Sequence, residues 1–316
     1  MDPAFVYRPE FDFTLPALDA EALASLHRFD GRRASRAWAL FEGDSLPERA
    51  RIVPERVSFD ELREVHGHDY LTSLRSSAVL AEIIELPEAA AAPFELLEGV
   101  LLEPMRYACG GTLAAVDACF ERGVVVHLSG GYHHAKRDRG EGFCVWSDLA
   151  LGAERARTRH GVERVLIVDL DAHQGNGLGS IFTGEDDVAV FDLYNADIWP
   201  HDEEARAGIR FENRLASRTA GHDYLRLLAR ELPAALDEFQ PGLVLYNAGT
   251  DIVDGDPLGD LGVAFEDVEA RDRFVVDECV RRSLPVVTTA SGGYTDHSHR
   301  LLASLCTYVR ERWLAA

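Results

Sequence analysis

An aspartate and a histidine two residues apart follow a short apolar run near the middle of the sequence. Residues 165 to 168 read Val-Leu-Ile-Val, which is typical of a parallel strand buried on both faces. Asp171 and His173 follow at positions i and i+2, so an extended chain points both side chains to the same side. A carboxylate and an imidazole that converge make half of a metal site. The alternative is a strand end whose Asp and His bond the loop backbone.

Three further polar clusters also follow β-type apolar runs, at residues 124 to 128, 243 to 246 and 285 to 289. Two of them contain a Gly-Gly pair, which lets the backbone turn sharply and approach a ligand. A single histidine after a strand is more often structural than catalytic, but a His-His pair on a glycine turn is a more specific signal. The residues of these clusters that could do chemistry are His133 and His134, Asp251, and Tyr294.

Apolar strand patterns alternate with helical patterns along the chain, and no Pro- or Ser-rich linker interrupts them. This alternation predicts one α/β domain over residues 1–316, a doubly wound, mostly parallel sheet with helices on both faces. Ligands bind beyond the carboxyl ends of the strands in such sheets, so the four clusters are expected to meet in one site. Further strands are predicted at residues 4 to 10 and 188 to 194, and helices near residues 19 to 27, 32 to 41, 58 to 76, 97 to 122, 148 to 160, 224 to 239, 265 to 282 and 297 to 313.

Asp171, His173 and Asp251 would offer two carboxylate oxygens and one imidazole nitrogen to a metal ion. Three protein ligands leave the fourth position of a tetrahedral ion open, which marks a catalytic site rather than a structural one. This ligand set favours zinc, with iron(II) as the alternative. Such an ion lowers the pKa of a bound water towards about 7 and polarises a carbonyl, which prepares attack on an amide.

His133 and His134 are candidates for the base that activates water and for the acid that protonates the leaving amine. Each needs a partner on its far nitrogen, and Asp169 and Asn176 are available on the neighbouring loop. Tyr294 is a candidate donor of a hydrogen bond to the developing oxyanion, and the alternative is an ordinary loop aromatic.

The composition argues against several other classes of protein. The 32 Lys and Arg against 54 Asp and Glu give a net charge of -22, which would repel a nucleic acid backbone. The five cysteines lack any Cys-x-x-Cys spacing, so they indicate neither a disulfide framework nor a thiolate zinc site, and they fit a reducing cytoplasm. No uncharged run approaches the roughly 18 residues of a membrane span. No Gly-x-Gly-x-x-Gly follows an early strand, which argues against a nucleotide-binding oxidoreductase.

Five motifs occur in chain order: Ser-Gly-Gly-Tyr-His-His-Ala, Gly-Glu-Gly-Phe-Cys, Asp-Leu-Asp-Ala-His-Gln-Gly-Asn-Gly, Tyr-Asn-Ala-Gly-Thr-Asp and Ser-Gly-Gly-Tyr. Their order and spacing resemble the arginase/histone deacetylase superfamily, and the chain is similar to a bacterial-type class IV histone deacetylase. The resemblance extends from Phe5 to the last helix and includes residues 27 to 30 and 69 to 71. It implies the arginase/deacetylase fold.

The resemblance implies a role for each candidate side chain. His134 would be the general base and acid, with His133 assisting, and Tyr294 would polarise the acyl carbonyl. Asn176 stands where many relatives have Asp. An asparagine at this position fits the resemblance to class IV, and it implies that His134 is less basic. The resemblance further implies that Asp169 contacts His133 and that Asn176 contacts His134. The implied ligands of the zinc ion are Asp171, His173 and Asp251.

The resemblance also implies a substrate channel and a second cation. Residues 85 to 93 contain no clear match for the acidic residue that grips the substrate backbone in the family. Asp192 stands where a hydroxyl residue is common. The acyl-lysine channel would be lined by Gly142, Phe143, Trp199 and Leu258, and potassium would bind, mainly through main-chain oxygens, near Asp169, Asp171, His173, Asp192 and Leu193.

These inferences predict a zinc-dependent hydrolase that removes acyl groups from lysine side-chain amides. The alternatives are the same chemistry on acetylated polyamines or another small amide, and a metal-stabilised binding module without catalysis, which the intact His133, His134 and Tyr294 argue against. Class IV relatives prefer long fatty acyl groups, and the glycine turns at residues 130–131 and 292–293 leave room for a tail. Efficiency is therefore expected to rise with acyl length.

Overall fold

A single eight-stranded sheet organises the computed structural model, which describes residues 1–13 and 30–314. Its strands are β1 (Ala4–Val6), β2 (Arg51–Ile52), β3 (Val124–His127), β4 (Val165–Asp169), β5 (Val188–Asn195), β6 (Phe211–Leu215), β7 (Leu243–Asn247) and β8 (Val286–Thr289). Their order in the sheet is β2-β1-β3-β8-β7-β4-β5-β6, and every neighbouring pair is parallel.

Helices cover both faces of this sheet, which confirms the predicted doubly wound α/β fold. Within residues 1–13 and 30–314, none of them combines the length and the apolar character that crossing a bilayer requires. The α-helices are α1 (Arg33–Leu40), α2 (Phe59–Leu62), α3 (His68–Ser73), α4 (Ser77–Ile83), α5 (Phe94–Leu97), α6 (Glu103–Arg122), α7 (Asp148–His160), α8 (Asn176–Ile181), α9 (Gly221–Phe239), α10 (Phe265–Arg281) and α11 (Ser298–Trp313).

The helical segment predicted from residue 58 to residue 76 contains two short helices, α2 and α3. α2 begins with a capping box. The Ser58 hydroxyl accepts the Glu61 amide at 3.2 Å, and Glu61 accepts the Ser58 amide at 2.8 Å. The helix predicted near residues 19 to 27 lies outside the described residues, as do residues 27 to 29 of the motif that ends at Asp30.

The sequence reading missed two strands, β2 and β6. β2 has only two residues, too few to show a pattern. β6 reads Phe-Glu-Asn-Arg-Leu at the edge of the sheet, and only Leu215 in it is buried, so it has no apolar run. β1 is the first strand, as predicted, but it pairs with β2 and β3 and is therefore not an edge strand.

The Gly110-Gly111 pair inside α6 allows two close contacts. A side chain on Gly111 would place its Cβ 2.4 Å from the imidazole of His127 in β3, so this glycine admits a close contact between helix and sheet. A Cβ on Gly110 would lie 1.9 Å from the carbonyl oxygen of Glu55, so this glycine instead admits the segment that precedes α2.

The four strands that carry the polar clusters are consecutive neighbours, β3, β8, β7 and β4, in the middle of the sheet. Their registers align the strand ends, since Asp169 of β4 lies opposite Asn247 of β7, and Asn247 lies opposite Thr289 of β8. The loops that follow these parallel strands must emerge side by side at the carboxyl edge. The topology therefore brings together segments that are more than 150 residues apart in sequence.

Candidate active site

Asp171, His173 and Asp251 form a compact cluster at this edge, with one candidate ligand atom from each residue within 4.8 Å of the others. His173 Nδ1 lies 3.0 Å from Asp171 Oδ1 and 2.9 Å from Asp251 Oδ2. Ligands about 2.0–2.2 Å from one zinc ion are at most about 4.4 Å apart, so these atoms fit around a single ion. The residues predicted as metal ligands therefore converge, and they are suited to hold a divalent cation.

In this cluster two carboxylates of like charge are buried close together, and this changes the pKa values of the residues around them. Burial, together with the charge of Asp171, raises the pKa of Asp251 to about 7. Burial opposes a charge on His173, but its hydrogen bonds to Asp171 and Asp251 outweigh that effect and raise its pKa to about 10. Two buried carboxylates thus need positive charge between them, which a proton on His173 or a metal ion supplies.

The loop after β8 closes over the carboxylates. The Ser291 hydroxyl and the Gly292 amide donate hydrogen bonds of 2.8 Å and 2.9 Å to Asp171 Oδ2. A Cβ on Gly292 would lie 2.5 Å from Asp171 Oδ2 and 2.6 Å from Asp251 Oδ2, so only glycine admits this approach. The second Gly-Gly motif is therefore part of the cluster's supporting structure.

The loop after β3 presents His133 and His134 to the same site. Gly130 and Gly131 adopt φ values of 74° and 88°, in the left-handed region that favours glycine. Their turn is held by the buried carboxylate of Asp148, which accepts the Gly131 amide at 3.0 Å and the Tyr132 amide at 2.7 Å. The two histidine rings are 4.0 Å apart between centroids.

Each of the two histidines has the partner that the resemblance implied. His133 Nδ1 lies 2.8 Å from Asp169 Oδ2, and His134 Nδ1 lies 2.8 Å from Asn176 Oδ1. Burial disfavours a charge on His133, yet the charges of Asp169 and Asp171 prevail and raise its pKa to about 9. Burial and the charge of His133 hold the pKa of His134 well below its usual value. The pair therefore consists of one imidazole that favours a proton and one that stays neutral.

Tyr294 lies across the cavity from the histidines, with its ring 6.4 Å from that of His173 and 6.3 Å from that of Phe143. Burial and the nearby carboxylates raise the pKa of Tyr294 well above its usual value, so its hydroxyl keeps its proton. The Tyr294 amide donates to Asp256 at 2.8 Å. Asp256 also accepts the Leu258 amide at 2.9 Å, and so it ties the loop after β7 to the loop after β8.

The four residues predicted for the channel line one cavity of about 210 Å³ that leads to His134, His173 and Tyr294. Trp199 forms an outer wall and is 42% exposed, with its ring 4.7 Å from that of His134. Glu85 also lines this cavity, on a left-handed turn with φ of 54°. Sequence reasoning found no acidic match in this segment because only the fold brings the end of α4 to the channel.

A second cavity of about 60 Å³ adjoins the metal cluster at Asp171. It is lined by both glycine turns, by Asp171 and by Arg33, whose guanidinium bonds the Ser291 carbonyl. A cavity of this size holds a few water-sized groups. It occupies the place where the sequence predicted space for an acyl tail.

The residues predicted for potassium surround a buried carboxylate at the ends of β4 and β5. Asp192 is 0% exposed, and its Oδ2 accepts the Gly175 amide at 2.9 Å. Its Oδ1 has no hydrogen-bond partner among the described residues. Burial and the charge of Asp169 raise the pKa of Asp192 well above its usual value. This unmatched oxygen fits a cation, and Leu193, Asp169, Asp171 and His173 lie on the adjoining chain segments.

The comparisons with known proteins decide the family. The histone deacetylase domain family matches residues 27–310 of this sequence. The chain belongs to this family. Histone deacetylase 2 of Arabidopsis thaliana is 38% identical over 301 residues, which cover 95% of this chain and 76% of that protein. Polyamine deacetylase HDAC10 of Homo sapiens is 28% identical over 282 residues, 82% of this chain and 40% of that protein.

A solved structure agrees with the fold. The crystal structure of the HDA15 HD domain matches with a TM-score of 0.75 over 98% of this chain and 89% of that chain, at 22% sequence identity. As a member of the histone deacetylase family, the chain is an amide-cleaving deacetylase, as the sequence predicted. Its Asp171, His173 and Asp251 form the metal-binding candidate that such a hydrolase requires.

Sequence reasoning missed residues that position the site of this family member, among them Asp148, Asp256 and Arg271. Asp148 and Asp256 hold the loops of the His-His pair and of Tyr294. Arg271 in α10 is fully buried and donates to main-chain carbonyls beside the metal cluster. Asp148 lies at the start of a predicted helix and Arg271 lies within one, so helical periodicity gave no sign that either side chain points towards the loops.

Proposed function

We propose that the chain is a zinc-dependent lysine deacylase of the class IV type, with a single catalytic domain that works in the cytoplasm. The observation that carries this proposal is the convergence of His134, His173 and Tyr294 on one cavity of about 210 Å³. An extended acyl-lysine side chain fits such a narrow, mostly apolar channel. All five cysteines are unpaired and buried, which supports a reducing compartment.

Zinc is the ion that this mixed oxygen and nitrogen set favours, with iron(II) as the alternative. A bound ion would polarise the amide carbonyl and acidify the attacking water. His134 donates from Nδ1 to Asn176, which leaves Nε2 free to take a proton from water and to deliver it to the leaving amine. His133, held by Asp169, assists beside the reacting groups, and Tyr294 donates its hydroxyl to the oxyanion.

The class IV assignment rests on Asn176. An amide in this position cannot supply the negative charge that a carboxylate would place beside His134. Burial and the charge of His133 therefore lower the pKa of His134 without an opposing negative charge from residue 176. Two further features are part of the proposal. Potassium binds at the unmatched oxygen of Asp192, and the strongly acidic surface keeps the enzyme away from nucleic acid.

A second candidate substrate, a small acylated amine such as an acetylated polyamine, is favoured by one observation. Glu85 lines the mouth of the channel and is exposed there, so its carboxylate can pair with a cationic amine. In a peptide substrate the same carboxylate would accept backbone N–H groups. The two readings therefore differ in what Glu85 recognises.

The test measures turnover of the metal-loaded protein on acetyl-lysine peptides and on acetylated polyamines, for the wild type and for Glu85→Gln. We expect hydrolysis of acyl-lysine peptides that is lost on metal removal and restored by zinc. A Glu85→Gln defect confined to polyamines would favour the second candidate. If neither substrate is hydrolysed by the zinc-loaded or iron-loaded protein, the proposed function is wrong. Glu88→Gln, an exposed neighbour on the same segment, serves as the matched control.

A further inference from the structure

A polar network extends from Asn176 away from the active site. Asn176 Nδ2 donates to Glu141 Oε1 at 2.5 Å and lies 3.5 Å from Asp202 Oδ2. Lys136 bridges the two carboxylates, with its ammonium 2.5 Å from Asp202 Oδ2 and 3.2 Å from Glu141 Oε1. The side chain of Lys136 is only 4% exposed, while those of Glu141 and Asp202 are 27% and 20% exposed, so the lysine is buried and the two carboxylates are partly exposed.

This network determines which end of the Asn176 amide faces His134. The nitrogen and oxygen of an amide side chain have nearly the same shape, and only their hydrogen-bond partners distinguish them. A carboxylate accepts hydrogen bonds and cannot donate, so Glu141 requires the NH₂ group of Asn176. The amide oxygen must then point the other way, towards His134 Nδ1 at 2.8 Å.

The orientation of Asn176 in turn selects the tautomer of His134. An amide oxygen can only accept, so the neutral imidazole must carry its hydrogen on Nδ1. The lone pair then lies on Nε2, towards the reacting groups, where a general base needs it. If the amide turned over, its NH₂ group would face Nδ1, the hydrogen would move to Nε2 and the base would be disabled.

Lys136 places a cation between the two carboxylates that meet at the Asn176 amide. Burial of Asp202 opposes its charge, but the hydrogen bonds from Lys136 and from the Ala205 amide prevail and lower its pKa below the usual value. Without this cation, two carboxylates that share one amide would repel each other and move apart, and the Asn176 amide would lose its fixed acceptor. The buried lysine therefore holds both acceptors in place.

We propose that Glu141, supported by Lys136 and Asp202, is a positioning residue that orients the Asn176 amide and thereby selects the Nδ1-protonated tautomer of His134. The inference deepens the proposed deacylase function and rests on it. A relative with Asp in place of Asn176 has no need for such a device, because both oxygens of a carboxylate accept. The requirement is thus specific to a chain with an amide at this position.

The experiment compares four variants of the metal-loaded enzyme on one acyl-lysine peptide. Glu141→Met removes the acceptor, and we expect kcat to fall about tenfold or more with little change in KM. Glu141→Gln keeps an acceptor oxygen and is expected to retain most of the activity. Asn176→Asp in the Glu141→Met background restores an acceptor for His134 at unchanged net charge, and kcat is expected to recover to within about threefold of the wild type. Asp138→Met, an exposed acidic residue of the same loop, is the matched control and should leave kcat unchanged.

A normal kcat in Glu141→Met would overturn the inference. So would a folded Asn176→Asp/Glu141→Met double variant that stays as slow as Glu141→Met alone. A second readout does not depend on turnover. Long-range ¹H–¹⁵N correlation spectra report which imidazole nitrogen of His134 is protonated, with His134→Ala used for assignment. We expect Nδ1–H in the wild type and a shift towards Nε2–H in Glu141→Met. If the wild-type protein hydrolysed no substrate, the proposed function would fail, while these spectra would still decide the inference.

Discussion

The guanidinium of Arg271 donates a hydrogen bond of 2.6 Å to the main-chain carbonyl of Gly249, two residues before the metal-ligand candidate Asp251. The same side chain donates at 3.0 Å to the carbonyl of Leu170, the residue before Asp171. Its charge is balanced by Asp272 at 2.8 Å. One buried side chain from α10 therefore sets the spacing between the two loops that carry the carboxylates.

Arg271→Lys is expected to weaken metal binding and to lower stability. An ammonium group cannot reproduce the planar set of donors, so at least one buried carbonyl loses its partner. Loss of support behind metal ligands typically costs about 10–100-fold in metal affinity. Zinc titration and thermal unfolding measure both effects. Arg273→Lys, a half-exposed neighbour in the same helix, is the control, and equal affinity in both variants would contradict the assigned role.

Asp251→Ala and His173→Ala are expected to lose bound metal and activity together, because each removes one of three ligands. Metal analysis of the purified variants is the measurement. Asp254→Ala removes an exposed carboxylate from the same loop and should keep its metal. Full zinc occupancy in both ligand variants would mean that the ligands are assigned wrongly.

Tyr294→Phe is expected to keep its metal and fold while kcat falls on the order of 10²- to 10³-fold, as for the loss of one oxyanion donor. Steady-state kinetics separate this outcome from a binding defect. An unchanged kcat with a raised KM would assign Tyr294 to substrate binding. Tyr308→Phe, whose hydroxyl bonds Asp277 in another part of the molecule, controls for loss of a tyrosine hydroxyl.

Catalytic efficiency is expected to rise from acetyl-lysine to long-chain acyl-lysine if the cavity between the two glycine turns opens further to admit the tail, since its volume of about 60 Å³ holds only a few water-sized groups. Each buried methylene contributes about 0.8 kcal/mol, so four accommodated carbons would change selectivity by roughly two orders of magnitude. Kinetics on an acyl series are the measurement. A steady decrease beyond acetyl would show that the cavity stays closed to a tail and would favour acetyl-lysine or acetylpolyamine chemistry.

Stability is expected to fall as the pH drops below about 6.5, in part through His66. Its Nδ1 bonds the Lys136 carbonyl at 2.9 Å, its Nε2 accepts the Ser147 amide at 3.0 Å, and burial lowers its pKa to about 4. A histidine in the unfolded chain has a pKa of about 6.5, so the unfolded state binds more protons between these values and gains stability as the pH falls. The loss at pH 5 is on the order of 2 kcal/mol.

Chemical denaturation at pH 7 and pH 5 measures this effect. His66→Gln is expected to be less stable at pH 7 and to show a smaller difference between the two pH values. An equally steep pH dependence in that variant would assign the effect to other groups.

The sequence by itself determined the fold class and the candidate chemistry of this protein. Five strands are buried on both faces, so each appears in the sequence as a continuous apolar run; they are β3, β4, β5, β7 and β8. The polar clusters that follow such runs can therefore be recognised without tertiary information. Strand β6 was not predicted, because a strand at the edge of a sheet needs no apolar run.

Only the tertiary structure decided what supports those clusters. Arg271 and Asp148 lie on helices, and Glu141 and Asp202 lie on loops, so none of them belongs to a strand-end pattern. Their partners at the site are mostly main-chain amides and carbonyls or an amide side chain, which carry no sequence signature at a distance. Hydrogen bonds depend on position and direction within a few tenths of an ångström. That precision arises only when the parallel sheet has placed the ends of its four central strands side by side.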